Sequence, residues 1–257
     1  MTTDNRYYFL LRKLHSLTGV LPLGVFLTMH LATNASVLGG PEAFQRNVDR
    51  IHSLEPFLVP IEVFGIFLPV AFHAILGVRI WWTSESNLRY YPYADNIRYT
   101  LQRVAGLIAL AFILYHLWHM HWLGRPFGGN AFSPVEPFAA VTAGGAIQRA
   151  WWIAPWYAVG ITCACYHFAN GLWTFLISWG VTIGPNAQRK AGYACAAVGL
   201  AVASLGLAAL WRFDRTPIDQ LRLSGPEAPV KNPSPQPDPA AVQGPSPSRV
   251  STGGSDA

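Results

Sequence analysis

Long runs of mostly apolar residues recur five times along the chain, separated by segments that hold most of the charged residues. Each run has about 20 residues or more, enough for a helix to cross a hydrocarbon core of ~30 Å. Only helices and closed barrels satisfy the backbone in lipid, and barrel strands are far shorter than these runs. The pattern therefore predicts an all-α, polytopic membrane protein with a five-helix transmembrane bundle. The spans lie at about residues 14–38, 57–82, 101–122, 151–179 and 191–211.

Composition supports a membrane location. Hydrophobic residues make up 51% of the chain and charged residues only 12%, whereas a soluble domain has roughly 25% charged residues. The net charge of +5 is spread over the segments between runs and forms no single basic face that would suggest nucleic-acid binding. The first run follows a polar segment and is too long for the apolar core of a signal peptide, so we expect it to remain as a span.

Lysine and arginine residues beside the runs predict the orientation. One side of the predicted membrane has nine of them: Arg6, Arg12, Lys13, Arg79, Arg89, Arg98, Arg103, Arg189 and Lys190. The other side has four, in longer segments: Arg46, Arg50, Arg125 and Arg149. Because Lys and Arg are enriched in cytoplasmic loops, we expect an inner-membrane protein with its N-terminus in the cytoplasm and its C-terminus outside. Arg212 and Arg215, which follow the fifth run, oppose this bias.

The segments outside the runs differ in character. Residues 41–53 predict a short amphipathic helix on the outer surface, with Pro41 in its first turn. Residues 124–145 are rich in Gly and Pro and predict an irregular outer loop. After residue 213, Pro, Ser, Gly and Gln dominate, and such a segment cannot bury enough apolar surface to offset its chain entropy. We therefore expect a membrane domain at 1–213 and a disordered tail at 214–257.

Each of the first four runs contains a histidine in its interior: His30, His73, His116 and His167. An imidazole in hydrocarbon is costly and normally faces a partner, a cavity or a metal. Four of them on successive spans need one shared explanation. Haem iron held between pairs of helices is the simplest.

The depths of these histidines predict how they pair. At ~1.5 Å per residue, His30 lies ~24 Å and His116 ~22 Å from the cytoplasmic ends of their runs. His73 and His167, on runs of opposite direction, each lie ~24 Å from the outer ends. The first two therefore share an outer level and the other two an inner level, as two bis-histidine haems between helices 1–4 require. His119 is the main rival to His116 as a ligand.

Four ordered motifs resemble the single-chain cytochrome b anchor of succinate dehydrogenases and fumarate reductases, over about residues 6–211. They are Leu14-His15-Ser16-Leu17-Thr18-Gly19 with His30 and Asn34; Leu68-Pro69-x-x-x-His73-Ala74-x-x-Gly77; Arg103-x-x-Gly106 followed by His116; and His167-x-x-x-Gly171-Leu172-Trp173.

The resemblance implies five transmembrane helices and two b haems, with His30 and His116 binding the outer haem and His73 and His167 the inner one. It also implies an iron–sulfur subunit and a flavoprotein subunit docked on the cytoplasmic face. Electrons from succinate would pass from the iron–sulfur subunit through the inner and outer haems to a quinone, and fumarate reduction would reverse this path. The similarity is to the branch that uses menaquinone. The chain has no dehydrogenase motif, so succinate chemistry would belong to its partners.

Three further residues are candidates for this function. Glu62 lies about a turn inside the outer end of the second run, where it could give or relay protons to quinone; the alternative is an interfacial acid near a helix N-terminus. Arg103 and Ser16 lie toward the cytoplasmic side and could bind propionates of the inner haem. For the arginine, orientation-setting charge is an equally good account.

Two other classes of protein fit the same pattern. A four-histidine cytochrome b subunit of a hydrogenase or formate dehydrogenase would keep the haems and change the electron donor. A haem-free transporter or anchor would use the histidines for proton relay or for hydrogen bonds between helices. An optical difference spectrum and the identity of the associated soluble subunits distinguish these alternatives.

Overall fold

The structure, a computed structural model, describes residues 3–85, 88–135 and 137–223. Within these ranges the backbone forms nine α-helices and no β-strand. The helices are α1 (Thr3–Thr18), α2 (Val25–Ala35), α3 (Pro41–His52), α4 (Leu58–Ile61), α5 (Leu68–Trp82), α6 (Ala94–Met120), α7 (Ala139–Gln148), α8 (Ile153–Ser178) and α9 (Pro185–Arg215). The all-α fold class predicted from the apolar runs is confirmed.

Two membrane-length helices contain wide π-helical turns. Gly19–Gly24 joins α1 to α2 and contains Pro22. A proline has no N–H, and its ring clashes with the carbonyl four residues earlier, so a wider turn relieves the helix at this point. Glu62–Phe67 joins α4 to α5 just before Pro69. The two π-helical segments contact each other, so the first two spans are both widened where they meet.

Among the described residues, four helical stretches are long and apolar enough to cross a membrane. They are Arg6–Gly39, Leu58–Trp82, Ala94–Met120 and Pro185–Arg215, which correspond to the first, second, third and fifth apolar runs. α8 has 26 residues, which is enough for a crossing, but polar residues such as His167 and Asn170 dilute its apolar character. Membrane passage of α8 therefore remains a prediction.

α8 packs against α6 on one side and α9 on the other. Ile153, Tyr157, Ile161 and Cys165 follow one another at four-residue spacing, and all four are buried. At Gly160 a β-carbon would collide with the ring of Phe112, so the glycine lets α6 approach the backbone of α8. A helix face that packs against another helix need not be apolar, and His167 and Asn170 lie on the face of α8 that bonds Gln102 of α6.

Several short elements pack together beyond the ends of the long helices. α3, predicted from its amphipathic pattern, packs against α7, and α7 packs against α9. The expectation of an irregular loop at 124–145 is wrong from Ala139 onward, because these residues begin α7. Gly144 is one of the glycines that suggested a loop. In the structure it lets the side chain of Leu221 lie against α7.

The packed part of the chain extends past the expected boundary at residue 213. α9 continues to Arg215, and a short 3-10 helix follows at Ile218–Leu221. Leu221 is fully buried, and the side-chain amide of Gln148 donates to the carbonyl oxygens of Phe213 (2.6 Å) and Thr216 (2.8 Å). The rest of the tail expected to be disordered, 224–257, lies outside the described residues.

Candidate haem-binding sites

The structure brings the four membrane histidines together in the two pairs that their depths predict. The ring centroids of His30 and His116 are 5.7 Å apart, and the two ring planes make an angle of 73°. The centroids of His73 and His167 are 6.1 Å apart, at an angle of 89°. The two histidines of each pair come from different helices, so each pair can bind a flat group from both of its faces.

This spacing fits a metal ion between the rings. Two metal–imidazole bonds of about 2 Å, with roughly 1 Å from each coordinating nitrogen to its ring centroid, separate trans-axial rings by about 6 Å. No group of three or more His, Cys, Asp or Glu within the described ranges could hold a metal ion directly. Haem iron needs only two protein ligands, because the porphyrin occupies the other four positions. The donor set therefore fits two bis-histidine haems.

In the inner pair, His73 and His167 each make the same kind of hydrogen bond to a facing helix. Nδ1 of His73 donates to the carbonyl oxygen of His15 (3.0 Å), and Nδ1 of His167 donates to that of Gln102 (2.9 Å). A carbonyl only accepts, so the proton must lie on Nδ1 and the lone pair on Nε2. Nε2 of neither ring forms a hydrogen bond with a described residue. Both rings are therefore in the tautomer that binds iron through Nε2.

A glycine lies beside each of these contacts. Gly19 follows His15 by four residues, and Gly106 follows Gln102 by four residues. A β-carbon at Gly19 would lie 2.6 Å from Cε1 of His73, and one at Gly106 would lie 2.7 Å from Cε1 of His167. Each imidazole thus rests directly on the backbone of the facing helix, and only glycine permits this approach.

A polar network supports the inner site between α6 and α8. The side-chain amide of Gln102 donates to the carbonyl oxygen of His167 (3.0 Å), and its oxygen accepts from buried Asn170 (3.0 Å). Arg98 donates to Asn170 (3.3 Å) and lies over the ring of Trp173, with Cζ 3.6 Å from the centroid. Gln102 and His167 therefore form two hydrogen bonds with each other, which fix the position of α6 relative to α8 along the helix axes.

The outer site uses side chains in place of backbone. Nδ1 of His116 lies 3.2 Å from the hydroxyl of Tyr157, and Nδ1 of His119 lies 2.9 Å from the same hydroxyl. His119 does not face His30; its ring stacks on Tyr115, with centroids 5.2 Å apart. The geometry therefore favours His116 over His119 as the partner of His30.

The contacts of His30 leave its Nε2 accessible to a stronger partner. The amide nitrogen of Asn34, one turn later, lies 3.4 Å from this Nε2 but makes a shorter bond of 2.8 Å to the carbonyl oxygen of His30 itself. The longer contact is near the limit for a hydrogen bond. Asn34 can therefore keep its main bond if Nε2 binds iron.

Both candidate propionate residues have protein partners. Arg103 donates to the carbonyl oxygens of Trp81 (2.6 Å) and Ser84 (3.4 Å), at and just beyond the C-terminus of α5. Ser16 donates to the carbonyl oxygen of Lys13 (2.9 Å) and accepts from the indole of Trp179 (3.0 Å). Capping of helix carbonyls accounts for Arg103 without a propionate.

Glu62 lies in a polar cluster beyond the outer histidine pair. The indole N–H of Trp122 donates to its Oε2 (3.2 Å), and Nε2 of His121 lies 3.5 Å from its Oε1. The side chains of Glu62 and His121 are 19% and 22% exposed. His121 directly follows α6, five residues after His116. The Glu62 carboxylate beside it therefore lies about one and a half helical turns farther out than His116.

Sequence reasoning missed the residues that support the ligands. Tyr157 is one of ten tyrosines, and nothing in its local pattern sets it apart. Gln102 carries a weak signal, because an uncharged polar residue at the edge of an apolar run tends to bond a neighbouring helix. His121 and Trp122 hold Glu62 only because the fold brings this distant residue beside the end of α6.

Comparison with known proteins adds an independent finding. The chain is 36% identical to the succinate dehydrogenase cytochrome b558 subunit of Bacillus subtilis (strain 168) over 213 residues. The match covers 83% of this chain and all of the relative. No protein-family model matches the chain.

The glycine contacts lead to a first prediction. Gly106→Ala should push the ring of His167 off α6, break its bond to Gln102 and cause selective loss of one of two haems. Gly65→Ala is the matched control, since its β-carbon would meet only Ile61, at 3.9 Å. The measurement is the haem-to-protein ratio of each purified variant. A Gly106→Ala protein with a parental ratio and spectrum would show that this contact does not hold the ligand.

Proposed function

The chain belongs to the family of succinate dehydrogenase cytochrome b subunits, and from this premise we propose that it binds two b haems and carries electrons between an iron–sulfur subunit and a membrane quinone. It is a cytochrome b that anchors a succinate dehydrogenase to the membrane. The alternative of a haem-free transporter or anchor does not fit a cytochrome b. The similarity also favours succinate dehydrogenase over a hydrogenase or formate dehydrogenase.

The observation that carries the two-haem proposal is the presence of two separate histidine pairs at metal-bridging distance. The pairs have similar spacings, 5.7 and 6.1 Å between ring centroids, and each pair joins two different helices. A histidine that only linked helices would normally use both ring nitrogens on protein groups. Here His73 and His167 each use Nδ1 alone within the described residues, which supports iron as the partner of Nε2.

The chain's own residues would hold and insulate the cofactors. A bound haem supplies a one-electron carrier whose potential depends on its ligands, their hydrogen bonds and their burial. His30 and His116 would hold the outer haem, and His73 and His167 the inner one. The backbone carbonyls of His15 and Gln102 would keep the inner ligands oriented, and the bundle would keep water away from both sites.

We further propose that the nine-cation side faces the cytoplasm and docks the iron–sulfur and flavoprotein subunits. Succinate chemistry would take place on those subunits. The structure supports a protein contact on this side through large exposed aromatic side chains, including Tyr7, Tyr90 and Tyr93. Tyrosine is enriched at protein interfaces and at membrane surfaces.

The quinone site, in this proposal, lies at the outer end around Glu62. Quinone reduction takes up two protons with two electrons, so the site needs a group that can deliver protons. Glu62 is partly accessible and is held by His121 and Trp122, which would orient its carboxylate toward a bound ring. Menaquinone is the proposed quinone, from the branch of the family that the sequence resembles.

The ligand assignment predicts which variants lose which haem. His73→Ala or His167→Ala should remove one haem, and His30→Ala or His116→Ala should remove the other, because iron cannot stay six-coordinate with one protein ligand. His52→Ala is the matched control and should keep both, because His52 is 37% exposed and lies in neither pair. The haem-to-protein ratio and the optical spectrum of each variant test this. Two haems in His116→Ala together with one in His119→Ala would reverse the assignment.

The orientation predicts the location of the C-terminal side. A reporter fused after Leu223, beyond the packed 3-10 helix, should be active only when it is designed for the extracytoplasmic space. A second fusion after Asn87, between the second and third spans, should give the opposite result. Cytoplasmic activity of the fusion after Leu223 would show that the orientation is inverted or that α8 does not cross.

Glu62→Gln should slow quinone-linked turnover on the order of 100-fold, the lower end of the range for loss of a positioned proton-transfer group. Gln keeps the size of the side chain and an acceptor for Trp122 but has no titratable proton. Both haem signals and succinate oxidation by a soluble artificial acceptor should persist. Glu55→Gln is the matched control, because Glu55 is 70% exposed. If Glu62→Gln turns over quinone at the parental rate, the quinone site lies elsewhere.

A further inference from the structure

The two histidine pairs differ in what holds their second ring nitrogen. The inner ligands donate to backbone carbonyls, which no substitution of the bonded residue removes. His116 instead faces the hydroxyl of Tyr157 at 3.2 Å, and Tyr157 is only 5% exposed. The second ring nitrogen of His116 therefore depends on a side chain, whereas the inner site does not.

The inference rests on the proposed function, in which His116 is a ligand of the outer haem. Every proton in the contact between His116, Tyr157 and His119 can then be assigned. Iron would take the lone pair of Nε2, so Nδ1 keeps its hydrogen and must donate to the oxygen of Tyr157. Among the described residues, the hydroxyl hydrogen then has one partner within reach, Nδ1 of His119 at 2.9 Å. The order of donation is therefore His116 to Tyr157 to His119.

The side chain of His119 offers its Nδ1 to no other described residue. His119 is 4% exposed, and its Nε2 is buried with no hydrogen-bond partner among the described residues. Its ring lies against those of Tyr115 and Trp118, with centroids 5.2 and 6.2 Å away. The only hydrogen bond of its side chain in the described part of the chain is the one to Tyr157, so the ring is placed to accept that hydroxyl and to hold its direction.

We propose that Tyr157 is a positioning residue that sets the orientation and basicity of the outer haem ligand His116, and that His119 holds the Tyr157 hydroxyl in the accepting direction. An acceptor on Nδ1–H makes an imidazole a stronger ligand, and a stronger donor stabilises the oxidised iron. The redox potential of the outer haem is then under the control of two side chains, while that of the inner haem depends on backbone contacts.

Tyr157→Phe tests the inference with little change in packing, because the ring that contacts Phe112 and Tyr115 remains. Loss of the acceptor should raise the potential of the outer haem. We expect a shift on the order of tenfold in its redox equilibrium, which is about 59 mV for one electron. The potential of the inner haem should not move. The measurement is an optical redox titration of the whole complex, with the EPR signal of each oxidised haem as a second readout.

Three further variants make the result specific. Tyr115→Phe removes a neighbouring hydroxyl that does not bond His116, and it should leave both potentials at parental values. His119→Leu removes the acceptor of the Tyr157 hydroxyl and should shift the outer haem, whereas His119→Gln keeps an acceptor and should restore most of the parental potential. The outer haem is identified as the one missing from His30→Ala.

The outcomes separate this inference from the two-haem proposal. A parental outer potential in Tyr157→Phe, or an equal shift of both haems, overturns the positioning role and leaves the haem count intact. Selective loss of the outer haem in Tyr157→Phe supports the role, because loss of such a contact can weaken metal binding 10- to 100-fold. Absence of haem from the parental protein overturns both.

Discussion

An imidazole buried in a bilayer has two ring nitrogens to satisfy, and this constraint governs much of the structure. One nitrogen can donate to a protein group, but the other needs a donor or a metal. In His73 and His167 the first need is met by a backbone carbonyl across the helix interface, and the other nitrogen has no hydrogen-bond partner among the described residues. Gly19, Gly106 and the polar network between α6 and α8 hold these rings in place.

The two sites meet the same constraint by different means. At the inner site the acceptor is a carbonyl, and a glycine four residues later gives the ring room to reach it. At the outer site the acceptor is the hydroxyl of Tyr157. Glycine at the outer level serves packing instead, since Gly160 admits the ring of Phe112. A backbone acceptor is rigid, whereas a hydroxyl can be reoriented by its own partner, so the two proposed haem sites need not have equal potentials.

The position of α8 explains why the helix with the weakest membrane signal carries much of the chemistry. It contributes His167 to the inner pair and Tyr157 to the outer contact, and it packs against both α6 and α9. His167 and Asn170 lie on the face that bonds Gln102 of α6, so a neighbouring helix covers polar residues that a lipid-facing surface would avoid.

The amino-acid sequence alone determined the helical class, four of the membrane-length helices and the histidine pairs, because apolar run length and residue depth depend only on helix geometry. It could not determine the supporting partners of those histidines. Tyr157, Gln102 and His121 act through contacts with residues 41, 65 and 59 positions away, and local patterns do not encode such distances. The helix at Ala139–Gln148 and the burial of Leu221 were likewise decided by tertiary packing, because small residues that favour a loop in isolation allow close helix contact once a neighbour covers them.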